Sequence, residues 1–246
     1  MKESHLNFLS RNSMRTIICS DCHGKPWLIT NVLQHSDYQK GTDRLIFCGD
    51  FCDLGPKPRE CLEILIDEGA EILLGNHDLA IAIGQRIHPA WQTDYENDSL
   101  LDILLDFYYG HNFRVTAIIE PSIIISHAGI SRSFYDYDSL IDDESKVSLT
   151  AYNRHLNSIP HRDLIELDGP LWYRPNYQNP PIDEWIQIVG HTPPEAMPTY
   201  DRFMSLDPWT SEDWEMNDLT RYRYAVVENN SIELIDSNLG SMKYDL

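Results

Sequence analysis

Positive charge is scarce in this chain. Lys and Arg number 19 against 39 Asp and Glu, giving a formal net charge of −20 over 246 residues. Affinity for nucleic acid comes largely from cations that neutralise phosphates, so no nucleic-acid partner is expected. An anionic membrane surface would repel the chain for the same reason. Long apolar runs are also missing. None approaches the roughly 20 residues needed to span a bilayer, and Met1 to Arg15 lacks the apolar centre of a secretory signal. A cytoplasmic location is therefore the expectation, with no membrane partner. Residues 1–13 read as an N-terminal extension, with Met14 a candidate second start, and residues 14–246 as a single domain.

Cysteine is sparse as well: five residues, all between Cys19 and Cys61. The odd number argues against a disulfide framework. Cys19-Ser20-Asp21-Cys22 has the spacing of a zinc knuckle. Cys19 and Cys48, however, stand in apolar runs beside Ile and Phe, where Cys acts as a small apolar residue.

Five short apolar runs each end in a residue able to hold a metal. Ile17 to Ser20 leads to Asp21-Cys22-His23-Gly24, and Leu45 to Cys48 leads to Gly49-Asp50-Phe51-Cys52-Asp53. Ile72 to Leu74 leads to Gly75-Asn76-His77-Asp78, Ile123 to Ser126 to His127, and Ile186 to Gly190 to His191. Such runs, bounded by Gly and turn residues, predict buried strands. In open α/β sheets the strand ends along one edge form the ligand rim.

Between the first three runs lie helical patterns, Trp27 to Leu33 behind Pro26 and Pro58 to Asp67 before Gly69. Strand, helix, strand, helix, strand implies βαβ units. Further helices are expected over Asp78 to Ile87, Ser99 to Tyr109 and Ser148 to Leu156. Residues 131–184 form a less regular excursion suited to substrate loops. Tyr224 to Val227 and Ile232 to Ile235, joined through Asn229-Asn230, predict a hairpin.

Asp21 and His23, one residue apart past a strand, can grip one cation. Asp50 can offer one carboxylate oxygen to each of two cations, and Asn76, His127 and His191 can hold the second. Carboxylate, amide and imidazole without thiolate suit manganese, iron or zinc better than calcium, with manganese the leading choice and cobalt also admissible. Two cations roughly 3.5–4 Å apart can clamp a phosphoryl group and hold a bridging hydroxide. His88, His111, His155 and His161 lack this context, and the acidic runs Asp142-Asp143-Glu144 and Glu212-Asp213 read as solvated faces.

In order and residue type, the series from Asp21 to Thr192 resembles the motifs of the calcineurin-like metallophosphoesterases. The nearest branch is the phosphoprotein phosphatases, which include bacterial Ser/Thr phosphatases and symmetrical dinucleoside tetraphosphatases. Asp53-Leu54-Gly55-Pro56, Leu171-Trp172-Tyr173-Arg174 and Gly190-His191-Thr192 carry that narrower likeness. The resemblance implies an α/β four-layer sandwich, two central mixed β-sheets flanked by helices. It implies that Asp21 and His23 hold one metal, that Asp50 bridges, and that Asn76, His127 and His191 hold the other. It further implies that His77 protonates the leaving group, that Asp53 orients it, and that Arg174 and Asn76 contact substrate phosphate. One position departs: Leu54 stands where the family has a phosphate-binding Arg, and Arg59, a helical turn later, is expected to face solvent.

The expected function is two-metal hydrolysis of a phosphomonoester, on a phosphoprotein Ser/Thr or a small molecule. The rival within the class is a symmetrical dinucleoside polyphosphate hydrolase. The rival outside it is a catalytically silent metal-binding interaction module.

Overall fold

The computed structural model describes residues 14–85, 87, 94–137, 147–165, 168–210, 212–213 and 219–246. The expected extension 1–13, His88 and the run Asp142 to Glu144 lie outside them. Strands β1 (Thr16–Cys19), β2 (Arg44–Phe47) and β3 (Glu71–Ile72) pair in parallel. Helices α1 (Pro26–His35) and α2 (Pro58–Asp67) make the two crossovers. Each helix begins on a proline, which has no N–H to leave unpaired in the first turn. α2 ends before Gly69, whose φ of +72° only glycine adopts at little cost.

The second sheet has the order β4 (Thr116–Ile119), β5 (Ile123–Ser126), β6 (Ile186–Val189), β7 (Phe203–Ser205). β4 and β5 are antiparallel, and β5, β6 and β7 run parallel. The chain then returns to the first sheet as an antiparallel meander, β8 (Arg223–Glu228), β9 (Ser231–Asp236) and β10 (Gly240–Asp245), with β8 antiparallel to β1. Asn229 and Asn230 turn the β8–β9 hairpin at φ of 50° and 59°, the left-handed pair that a tight two-residue hairpin needs.

Side-chain alternation separates the layers. Ile18 and Ile46 meet Ile123, Ile125 and Ile188 between the two sheets. Their neighbours Ile17, Leu45 and Phe47 point the other way, onto Leu28 and Val32 of α1 and Leu62 and Leu65 of α2. Ile124 joins the cluster with Leu149 and Tyr152 of α6 (Leu149–Leu156). The result is α/β: two mixed sheets face to face with helices on their outer faces. Each fully buried Ile or Leu contributes about 1.5–3 kcal/mol relative to exposure.

The structure departs from expectation at element ends. The helix expected over 78–87 is α3 (Asn76–Ala82). Gly75 is already extended at φ −92°, ψ 163°, and the Asp78 carboxylate accepts the Gly75 N–H at 3.1 Å, so the helix starts earlier. Gly84, at φ +73°, stops it. The next helix begins sooner, as α4 (Asp94–Tyr109), and the irregular excursion contains α5 (Arg132–Tyr137). Asp213 is half-buried and accepts from the Thr210 N–H and hydroxyl, so that end of its acidic run is a turn cap and not a free face.

An ion cluster pins the loop after β6. Glu195 receives Arg221 at 3.0 Å and Arg223 at 2.6 Å, and Arg223 also reaches Asp236. Burial pushes the Glu195 pKa up, but the two guanidinium groups outweigh it and take it from 4.5 down to about 2. A depressed folded-state pKa means stability that is present above the unfolded value and lost as pH falls through the folded one. Glu195→Gln should therefore flatten the acid limb of a thermal-melt profile between about pH 4.5 and 2. Because Glu195 is half-exposed, the loss of Tm at pH 7 should be only about 1–3 °C.

Candidate metal centre

The carboxyl ends of β1, β2 and β3 and those of β5 and β6 open on one shared edge. Asp21 lies two residues past β1, Asp50 three past β2 and Asn76 four past β3. His127 directly follows β5, and His191 lies two past β6. Backbone bonds lace these loops together: Asp21 N–H to Gly49 O at 3.1 Å, His23 N–H to Asp50 O at 3.0 Å, Gly190 N–H to His127 O at 2.8 Å. All six side chains are buried. They form two groups, Asp21 with His23 and Asp50, and Asp50 with His127 and His191, with ligand atoms in each within 4.8 Å of one another. Asp50 belongs to both. Asn76 completes the second, its Oδ1 lying 2.7 Å from His127 Nε2 and 3.1 Å from His191 Nδ1.

Backbone carbonyls fix the orientation of two of the rings. His23 Nδ1 meets Cys52 O at 2.8 Å and His127 Nδ1 meets Cys48 O at 2.9 Å. A carbonyl can only accept, so each Nδ1 carries the proton and each Nε2 is left to face Asp50, at 3.8 and 3.3 Å. His191 is turned the other way, its Nδ1 toward Asn76 and its buried Nε2 without a hydrogen-bond partner.

Charge tells the same story. Burial pushes His127 down, but Asp50 overrides it and raises the pKa to about 9. Burial pushes Asp50 up, yet His127, His77 and His23 hold it below the usual carboxylate range. Asp21 is raised well above that range by burial, Asp207 and Asp50, and burial takes His23 down to about 4. Oxygens facing oxygens and imidazoles require a positive charge between them, whether a proton or a cation. The donor set of carboxylate, amide and imidazole fits a pair of divalent cations. The thiols stand outside it. All five cysteines are buried and free, and Cys52 Sγ faces Asp78 Oδ1 at 3.0 Å.

The backbone is bent to make this pocket. Asp21, His23, Asp50, Asp53 and His191 all sit at positive φ, between 41° and 71°. Each such non-glycine residue costs about 1–3 kcal/mol, which the lacing of the loops must offset. Two glycines leave room for the carboxylates. A Cβ on Gly75 would lie 2.0 Å from Asp50 Oδ1, and one on Gly190 would lie 2.0 Å from both Asp21 Oδ2 and Ser20 Oγ.

His77 stands beside the cluster. Its N–H donates to Asp50 Oδ1 at 3.0 Å, its Nδ1 pairs with Asp53 Oδ2 at 2.8 Å, and its Nε2 is 3.9 Å from Asp50 Oδ2. Burial lowers its pKa, but Asp50 and Asp53 more than reverse that and raise it. Arg174 is exposed at the rim, donating to Thr192 Oγ1 at 3.2 Å and His191 O at 3.4 Å. Leu54 is turned into the apolar core, and Arg59 pairs with Glu63 on the solvent face of α2.

Three residues without an assigned role in the sequence reading also shape the site. Asp78 is buried and accepts the N–H groups of Asp50 at 2.8 Å and Gly75 at 3.1 Å. Its signal was a carboxylate three residues past a glycine at a helix start. Asp207 and Trp209 follow β7, a three-residue strand too short for any periodicity to reveal.

Residues 14–233 match the calcineurin-like phosphoesterase family. The chain belongs to that family. Its members act on phosphoester bonds with divalent cations, and the two groups sharing Asp50 are the candidate sites for them. A symmetrical bis(5'-nucleosyl)-tetraphosphatase of Psychromonas ingrahamii is 37% identical over 94 residues, 37% of this chain and 33% of that protein. The enzyme of the same name from Vibrio cholerae is 29% identical over 128 residues, 48% of this chain and 45% of that one. The chain thus spans a third to under half the length of these curated relatives. Among solved structures, a cold-active protein-tyrosine phosphatase of a psychrophilic Shewanella shares the fold at a TM-score of 0.63. It is 16% identical, over 94% of this chain and 80% of that one.

Gly75→Ala and Gly190→Ala should each cost about 1–3 kcal/mol by overpacking and reduce the metal content of purified protein, measured by mass spectrometry of the bound ions. Gly41→Ala, where an added Cβ meets nothing within 4 Å, should leave metal content unchanged.

Proposed function

We propose that this chain is a two-metal phosphoester hydrolase, and the observation that carries the reading is the place of Asp50 in both donor groups. Asp21, His23 and Asp50 would hold one divalent cation, and Asp50, Asn76, His127 and His191 the other, with Mn2+ the leading choice. Bound cations supply the charge that polarises a phosphoryl group and acidifies a nucleophilic water. The remaining work falls to side chains. The Asp53 carboxylate fixes His77 through Nδ1, which leaves Nε2–H to protonate the departing oxygen. The Asp53 carboxylate beside Nδ1 favours the protonated form of the ring. Arg174 lies beside His191 and offers a guanidinium to the phosphoryl oxygens. Asn76 can also contact them. The His77–Asp53 pair at 2.8 Å speaks against a silent binding module.

For substrate, the two partial relatives favour symmetrical cleavage of a dinucleoside tetraphosphate. A phosphomonoester, free or on a protein Ser/Thr, is the second reading, favoured by the exposed rim at Arg174. Residues 14–246 would act as one domain. Free, buried cysteines support a reducing compartment such as the cytoplasm. No helix among the described residues is long and apolar enough to cross a membrane.

With Mn2+, wild-type protein should release two nucleoside diphosphates from a dinucleoside tetraphosphate, at a kcat/KM at least about tenfold above that for an aryl phosphate, a margin of about 1.4 kcal/mol. The reverse ranking, read by chromatography and a chromogenic assay, would move the assignment to the second reading. Asp50→Asn should abolish metal binding and turnover together. His77→Gln should retain both ions and lose about 10²–10⁴-fold in kcat, most for alkoxide leaving groups; full activity on an alkyl phosphate would remove His77 from the role of acid.

A further inference from the structure

The loop that carries Asp21 and His23 is bent at two non-glycine residues, with φ of 49° and 41°. Something outside the loop must hold it there, and one side chain touches it at three places. Trp209, fully buried, donates its indole N–H to Asp21 O at 2.8 Å. Its ring meets the His23 ring edge-on at 5.7 Å, and Lys25 Nζ lies over it, 5.3 Å from the centroid. The base of Trp209 is anchored in turn. Its N–H donates to Asp207 Oδ1 at 2.9 Å, the Asp207 N–H donates to Ser205 Oγ at 3.2 Å, and Ser205 Oγ–H donates to Thr192 O at 2.6 Å. Thr192 directly follows His191, so this chain of bonds runs from one donor group to the other.

We propose that Trp209 is a positioning residue for the cation held by Asp21 and His23, setting that site's affinity while leaving the site at Asn76, His127 and His191 largely intact. A Trp ring and a single N–H bond can do this because they act on the backbone carbonyl of one ligand and the ring plane of the other. Neither contact reaches Asn76 or His127, and His191 is reached only indirectly, through its backbone N–H on the Asp21 carboxylate and through the Ser205 bond to Thr192. Outer partners of metal ligands typically change affinity by about 10–100-fold. The inference rests on the two-metal reading and adds to it a residue that touches no cation.

The test is Mn2+ titration of Trp209→Phe, which keeps a ring and removes the N–H donor. Calorimetry gives the two dissociation constants, and electron paramagnetic resonance separates a lone Mn2+ from a spin-coupled pair. His23→Ala supplies the reference spectrum for a protein holding one ion. The expected result is a dissociation constant raised about tenfold or more at one site only. The spectrum should be that of His23→Ala at low Mn2+, the coupled pair should return at high Mn2+, and KM should be unchanged once both ions are bound. Equal weakening of both sites, or wild-type loading of both, would overturn the assignment. If Trp209→Phe does not fold, Asp207→Ala takes its place, compared with Asp207→Asn, which loses the same buried charge near Asp21 but keeps an oxygen acceptor for the Trp209 backbone N–H. A selective loss in Asp207→Ala beyond that of Asp207→Asn is expected, and an unselective or absent one overturns the assignment. Wild-type protein that binds fewer than two Mn2+ would instead defeat the two-metal reading itself.

Discussion

A carboxylate with no water around it must find positive charge, and Asp50 is such a carboxylate. It is buried where two sheets meet, and its oxygens face the imidazoles of His23, His127 and His77. Much of the neighbourhood can be read as the means of keeping it there. Asp78 holds its backbone N–H, the His77 N–H holds one of its oxygens, and Gly75 carries no side chain because a methyl would collide with it. A buried charge that loses its partner is costly, commonly about 3–5 kcal/mol, so the arrangement tolerates little change at any of these positions.

The strain in the loops follows from the same demand. Left-handed backbone at Asp21, His23, Asp50, Asp53 and His191 is the way three short strands, β1, β2 and β6, aim the residues after them inward instead of continuing outward. The isoleucine-rich layer between the sheets gives the rigidity that the strained loops lack. Stability is made in the apolar layer and drawn on at its rim.

Much of this was legible in the sequence because the site follows the strands. Short apolar runs ending in Asp, Asn or His identify both an element and its carboxyl end, and the six side chains so marked do converge on one edge. The helices at Pro26 and Pro58 and the turn at Asn229-Asn230 carried local signals strong enough to place them. What escaped had a weak local signal or none. The start of α3 is set by the Asp78 carboxylate bonding back to Gly75, and β7 is three residues long. β10 is an exposed edge strand in which Lys243 and Asp245 mask any alternation. Asp207 and Trp209 matter only through partners that are remote in the chain. Leu54 was seen as a departure from the family pattern, but its burial in the core is a fact of packing that no spacing could supply.

The bond from Trp209 to Asp21 spans 188 positions, and that from the His191 amide to Asp21 spans 170. A ribosome must therefore deliver most of the chain before the first loop can take its final shape. Until then the contacts that bend the loop of Asp21 and His23 have no partner to form with. The order of synthesis itself postpones the closing of this edge until both sheets exist.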